Sequence, residues 1–227
     1  MKVVILAGGR GTRLSEYTKK IPKPMVKIKN VPIIMHIMKN YSNYGYKDFI
    51  IAAGFKANLL KKFFKNKKYD WKVKVVNTGL DTMTGGRIRK LKKLLNDKKF
   101  FLTYGDGVSN INLKKLLKFH NRQKGVATLT AVRPPARFGA IKVKNKKVTV
   151  FREKSALDVG WINGGFFVFE PEIFKYLKSE KSVLEEYPLT RIGKKKKLMA
   201  YKHEGYWYCM DTIRDKEIIE KNVKIKF

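Results

Sequence analysis

The chain has 227 residues, 44% of them hydrophobic and 31% charged, the composition of a globular protein large enough for one well-filled core. No apolar run approaches the roughly 18–20 residues that cross a bilayer, and the opening MKVVILAGG reads as a core strand and not as a secretion signal. A single cysteine, Cys209, excludes an internal disulfide and fits a reducing, cytoplasmic setting.

The formal charge of +34 invites a nucleic-acid-binding reading, because clustered Lys and Arg supply phosphate contacts. The lysines crowd at 61–68, 142–147 and 194–197, which fall in different predicted elements and carry no stacking-aromatic signature. We therefore expect lysine-rich solvated faces that help steer anionic substrates, with neither nucleic acid nor membrane as partner.

In chain order, residues 2–6 form the first strand. A helix over 31–44 follows, with Pro32 at its first position and Ile33, Ile34, Ile37, Met38 and Tyr41 on one face. Strand 48–53, helix 57–65, strand 72–76, helix 87–95, strand 100–104 and helix 112–122 come next. The alternation is β-α-β-α-β-α-β, the layout of a doubly wound, nucleotide-binding sheet. From 126 the chain turns strand-rich, at 126–132, 139–143, 147–151 and 162–169, as an antiparallel extension or small lobe would be. Pro171 opens a helix, 198–202 is a strand, and a last helix spans 212–222. The fold class expected is α/β, a mostly parallel Rossmann-like sheet with a small strand-rich lobe, in one domain over 1–227.

The chemistry begins where the first strand ends, in Leu6-Ala7-Gly8-Gly9-Arg10-Gly11-Thr12-Arg13-Leu14. Three glycines let the backbone turn sharply and bring N–H groups against an anion, and Arg13 adds a planar fork of donors. Neither G-x-G-x-x-G nor the P-loop string is present. Farther on, Pro22 and Pro24 flank Lys23 and restrict it to extended conformations. Asp106 follows an apolar run and sits at the carboxyl end of a strand, where open α/β sheets place ligands. Read alone, it is equally a Gly-Asp-Gly turn residue. Asp211 precedes the last helix and, read alone, is equally a helix N-cap.

L-A-G-G-x-G-T-R-L followed by P-K-P-M resembles the sugar-phosphate nucleotidyltransferases. Met83-Thr84-Gly85-Gly86-Arg87 and Leu102-Thr103-Tyr104-Gly105-Asp106-Gly107 resemble the cytidylyl branch, the glucose-1-phosphate cytidylyltransferases. Arg137-Phe138-Gly139-Ala140, Ile162-Asn163-Gly164-Gly165 and Met210-Asp211-Thr212 extend the likeness over nearly the whole chain.

The resemblance implies a glycosyltransferase-A-like fold, with 1–125 as the nucleotide-binding half and 126–227 as the sugar-phosphate half. It implies transfer of CMP from CTP to glucose 1-phosphate, with Mg²⁺ as cofactor and a homo-oligomeric enzyme. Leu6, Ala7, Gly8, Gly9, Gly11, Thr12 and Arg13 would then wrap the triphosphate, and Lys23 would meet the phosphates as they rearrange. Thr82, Arg87 and Gly105 would contact the nucleotide, and Asp106 and Asp211 would hold Mg²⁺. Glu153, Lys154, Asn163 and Gly164 would take the sugar phosphate. Arg13, Lys23 and Asp106 are the catalytic candidates. Uridylyl or thymidylyl transfer is the alternative within the class, and a basic nucleic-acid-binding module the alternative outside it. Only residues 66–71 fill a gap where relatives carry a longer insertion.

Overall fold

The structure is a computed structural model that describes residues 1–65, 70–95, 98–135, 139–153 and 160–223. In chain order the elements are β1 (Lys2–Ala7), α1 (Ser15–Thr18), β2 (Lys27–Ile28), β3 (Val31–Pro32), α2 (Ile33–Ser42), β4 (Asp48–Ala53) and α3 (Ala57–Lys65). Then come β5 (Lys72–Asn77), α4 (Thr84–Lys90), α5 (Lys92–Leu95), β6 (Phe100–Tyr104), β7 (Gly107–Ser109) and α6 (Leu113–Gln123). The remainder is β8 (Ala127–Val132), β9 (Ala140–Lys144), β10 (Lys147–Arg152), β11 (Ile162–Asn163), β12 (Phe167–Phe169), α7 (Tyr187–Lys194), β13 (Leu198–His203), β14 (Trp207–Cys209) and α8 (Ile213–Asn222).

β1, β4, β5 and β6 run parallel in the order β5-β4-β1-β6, the reversal of a doubly wound sheet, so a crevice opens where β1 and β6 end side by side. Strict alternation builds the two layers. Val3, Ile5 and Ala7 of β1 face one core with Ile34, Leu60 and Leu116, while Val4 and Leu6 face the other with Ile88, Leu91 and Ile192. The strand-rich segment does not stand apart as a lobe. β12 runs antiparallel between β6 and β8, and β13 continues the sheet parallel to β8. Among the described residues of 126–169, the β9–β10 hairpin is the part that stands off as a two-stranded sheet of its own, as β2–β3 and β7–β14 do elsewhere in the chain.

Several expected boundaries move. Pro32 is not the first helical residue but lies in β3 at the N-cap of α2, because Lys29 and Asn30 both take positive φ (47° and 66°) and close a two-residue hairpin ahead of it. The segment after Pro171 is a 3₁₀ turn, Pro171–Lys175, in place of an α-helix. The strand expected at 162–169 is split into β11 and β12. Positive φ at Gly165 and Phe166 (76° and 47°) throws a bulge between them, and the register against β8 shifts across it.

The helix expected from 87 begins three residues earlier, with the glycine pair 85–86 inside α4. A glycine pair ordinarily weakens a helix. Here it admits another segment of backbone, since a Cβ on Gly86 would stand 2.1 Å from the Glu180 carbonyl oxygen. The Ser182 carbonyl accepts from the Gly86 N–H at 3.1 Å, and the Glu180 carbonyl accepts from Met83 at 2.9 Å. Gly86→Ala should therefore cost about 1–3 kcal/mol and lower Tm by roughly 3 °C or more, measurable by calorimetry. An unchanged Tm would show that the 180–182 segment moves aside freely.

Candidate active site

β1 delivers Ala7 to the crevice, and residues 8–14 turn back across its mouth. Gly11 takes φ 64°, a left-handed conformation costly for other residues, and caps a 3₁₀ turn over Thr12–Leu14 whose Leu14 is fully buried. Thr18 locks this turn by donating to the carbonyls of Gly11 and Leu14 at 3.0 and 3.1 Å. Lys23 is not extended as expected. It opens a 3₁₀ turn, Lys23–Met25, with successive bonds from Met25 to the Pro22 carbonyl (2.8 Å) and from Val26 to the Lys23 carbonyl (3.0 Å).

The two acids meet through a short ladder. β7, directly after Asp106, pairs antiparallel with β14, which ends two residues before Asp211, and Gly107 faces Cys209. Met210 N–H then donates to the Asp106 carbonyl at 2.9 Å, so the ladder closes with the two aspartates on neighbouring strand ends. Asp211 is not the helix cap. Thr212 caps α8 in a capping box with Asp215, whose carboxylate also takes the Asp211 and Thr212 N–H groups. The Asp211 carboxylate is thereby left to face the crevice.

Lys23 Nζ lies 2.7 Å from Asp106 Oδ2 and 2.7 Å from Asp211 Oδ1, and Arg13 donates to Asp211 Oδ2 at 2.7 Å. Burial works against the charge on Lys23, but the Asp106 and Asp211 carboxylates outweigh it and raise its pKa. Burial likewise works against the Asp211 charge, and Lys23 with Arg13 overcomes it, holding this acid below its ordinary range. Cys209 Sγ joins the group: it offers one ligand atom, as each aspartate does, and the three lie within 4.8 Å of one another. Burial, then the two carboxylates, push its thiol pKa upward. A position already bridged by an ammonium ion between two hard oxygen donors suits a divalent metal ion, and the protonated thiol adds no competing hard ligand.

Leu6, Ala7, Gly8, Gly9, Gly11, Thr12, Arg13, Lys23, Thr82, Arg87 and Gly105, expected at the nucleotide, and Asp106, expected at the metal, line one cleft of about 380 Å³. Pro24, Met83, Thr84 and Tyr104 line it too; all four stand in the quoted motifs but were given no site role of their own. Thr82 is buried and donates to the Thr78 carbonyl at 2.7 Å. Arg87 is the most committed side chain of the group. Its guanidinium donates to the carbonyls of Ala53, Gly79, Gly8 and Leu80 and to Thr78 Oγ1, at 2.7 to 3.3 Å. Burial lowers its pKa, with Asp81 opposing. Arg87 thus ties the Gly8 peptide at the start of the glycine-rich turn to the 79–80 segment.

The residues expected on the sugar side spread wider. Asn163 Nδ2 donates to Tyr104 Oη at 3.2 Å, which joins it to the cleft wall. The Gly164 carbonyl accepts from Trp207 Nε1 at 2.8 Å. Glu153 is exposed at the end of the β9–β10 hairpin, close enough to Gly139 that a Cβ there would sit 2.9 Å from its carboxylate. Lys154, Arg137 and Phe138 lie outside the described residues.

Residues 2–224 match the nucleotidyl transferase family. The chain belongs to that family. It is 42% identical to glucose-1-phosphate cytidylyltransferase of Salmonella typhimurium, over 97% of this chain and 95% of that protein. Mannose-1-phosphate guanyltransferase of Yarrowia lipolytica is 29% identical over 96% of this chain and 62% of its own length. The crystal structure of HddC from Yersinia pseudotuberculosis complexed with GMP-PN superposes with TM-score 0.76 at 25% identity, covering 98% of this chain and 99% of that one.

For this nucleotidyl transferase, Arg87→Lys keeps a charge but loses the fork that serves acceptors on two sides. The unpaired carbonyls should cost roughly 2–4 kcal/mol and lower Tm by about 5–10 °C in a thermal melt. A variant that melts with the wild type would remove Arg87 from this role.

Proposed function

We propose that the protein transfers CMP from CTP to α-D-glucose 1-phosphate, giving CDP-glucose and pyrophosphate. The observation that carries this reading is the meeting of Asp106, Asp211 and Lys23 beside the glycine-rich turn, in a chain 42% identical to a glucose-1-phosphate cytidylyltransferase. Residues 1–125 form the nucleotide-binding half of one domain and 126–227 the sugar-phosphate half. Support comes from β8, β12 and β13, which extend the sheet that β1, β4, β5 and β6 begin. The lone Cys209 is in keeping with a cytoplasmic enzyme, and no described helix is long and apolar enough to cross a membrane.

Asp106 and Asp211 would hold Mg²⁺, which when bound supplies neutralising charge and polarises phosphate oxygens. The chain's own residues handle the rest. The glycine-rich turn and Arg13 receive the β- and γ-phosphates, and Lys23 offsets the repulsion as two anions are brought together. Glu153, Lys154, Asn163 and Gly164 take the sugar phosphate. Its oxygen attacks the α-phosphorus while pyrophosphate departs in line. A phosphate dianion is already a nucleophile, so alignment and charge carry catalysis and no general base is required. The three histidines are engaged elsewhere: His36 with the Ile28 carbonyl, His120 with Thr128 and Glu170, His203 with Ser109.

Pyrophosphate release measured with glucose 1-phosphate, Mg²⁺ and each of CTP, UTP and dTTP tests the reading. CTP should be turned over fastest, and equal or greater turnover of UTP or dTTP would reassign the base. Lys23→Ala should fold, as circular dichroism will report, and lose at least about 10² in turnover.

A second copy of the chain is the partner we infer for the β9–β10 hairpin. Its cross-strand pairs Val143–Val148 and Ile141–Phe151 leave four apolar side chains more than half exposed, on a two-stranded sheet that is marginal by itself. Light scattering should find an oligomer for the wild type and a smaller species for Val143→Glu. A monomeric wild type would remove this inference.

A further inference from the structure

A cluster of hydrogen bonds at the cleft wall has its directions fixed by a residue outside the machinery described so far. Glu185, in the segment before α7, accepts from Tyr104 Oη at 2.5 Å with one oxygen and from Thr84 Oγ1 at 2.8 Å with the other. An ionised carboxylate only accepts, so both hydroxyl protons must point at it. Thr84 has no freedom to do otherwise, because its oxygen already accepts from the Leu184 N–H at 2.8 Å. Tyr104, having given its one proton to Glu185, can only accept from its other neighbour, and that neighbour is Asn163 Nδ2 at 3.2 Å. The far end of the amide agrees with that direction, since Asn163 Oδ1 accepts from the Gly165 N–H at 3.0 Å, and the two contacts share the work of fixing it.

We propose that Glu185 is a positioning residue for the sugar phosphate: by taking the Tyr104 proton it makes Tyr104 Oη an acceptor for one Asn163 amide N–H, which with the Gly165 contact keeps the amide in one orientation and leaves its second N–H for the sugar. The inference rests on the sugar-phosphate reading above and deepens it. Glu185 touches no reacting atom. It acts through Tyr104, which lines the cleft at the carboxyl end of β6, and through Thr84, which opens α4 on the nucleotide side. The segment that carries Glu185 is itself held on α4 by the Met83–Glu180 and Gly86–Ser182 backbone bonds, so the carboxylate is delivered from a fixed frame. A fixed donor at Asn163 favours a sugar hydroxyl that accepts. If the amide could turn over, its carbonyl would meet that same oxygen, and the preference would be lost.

Glu185→Gln separates direction from shape. Glutamine keeps the size but offers an N–H₂ that can donate to Tyr104, leaving the tyrosine proton free to turn toward Asn163. Steady-state pyrophosphate release should show the KM for glucose 1-phosphate rising about five- to tenfold, as expected for loss of a neutral hydrogen bond to a sugar hydroxyl. The KM for CTP should stay within about twofold and kcat within about threefold, a split that a merely structural residue would not give. Tyr104→Phe removes the relay at its middle and should raise the same KM. The double variant Tyr104→Phe/Glu185→Gln should add little to either single change. An unchanged sugar KM in Glu185→Gln, or equal rises for both substrates with a lowered Tm, would overturn the proposal while leaving the cytidylyl reading in place. Wild-type enzyme with no turnover of glucose 1-phosphate would take down both readings together.

Discussion

A ladder of three residues against three, Gly107–Ser109 on Trp207–Cys209, is the contact on which the site depends. Asp106 and Asp211 stand 105 positions apart in sequence, and only this pairing sets their carboxylates side by side. Two carboxylates so close repel, and the structure offsets this with Lys23, whose ammonium group touches both. Lys23 in turn is held by the proline-flanked turn packed beside Gly11, so the anion cradle and the acid pair are fixed by one another. Loss of the ladder would leave each part well formed and the site as a whole unmade.

The nucleotide end of the cleft is organised by a different principle. Among the described residues Arg87 has no carboxylate in hydrogen-bond contact, Asp81 acting on it through space, and the oxygens it meets belong to four carbonyls and one hydroxyl. Such a cation remains electrostatically unspent, and a cleft that must hold a triphosphate gains from it. The large lysine excess adds a weaker field of the same sign across the surface. Its long-range part is screened beyond roughly a Debye length, about 8 Å at physiological ionic strength, whereas the buried charge is screened far less.

Much of this was legible in the residues. Near-continuous apolar runs at 2–6, 48–53 and 100–104, alternating with helical segments, announced buried parallel strands because both faces of such a sheet are covered. The glycine-rich turn and the pinned Lys23 were conspicuous because such backbone constraints seldom serve a solvated side chain. The acid-pairing ladder was not legible. Strands of three residues carry no periodicity, and Trp207-Tyr208-Cys209 reads equally as core. Likewise the helix was placed from 87, past the glycines at 85 and 86, and only the folded chain shows the 180–182 carbonyls lying against them. Glu185 gave no signal at all. Its importance lies in which protons face it, and hydrogen-bond direction has no trace in composition or spacing.

The backbone bonds that join Met83 and Gly86 to residues 180 and 182 have a consequence for how the protein is made. On the ribosome the glycine-rich turn, Lys23 and Asp106 all emerge long before residues 180–182 and Asp211. A nascent polypeptide halted near its middle would own the glycine-rich turn, Lys23 and Asp106 and still lack Asp211 and the backbone that packs on α4. The cluster around Lys23 therefore completes late and at once, when β14 pairs with β7 and brings in Asp211.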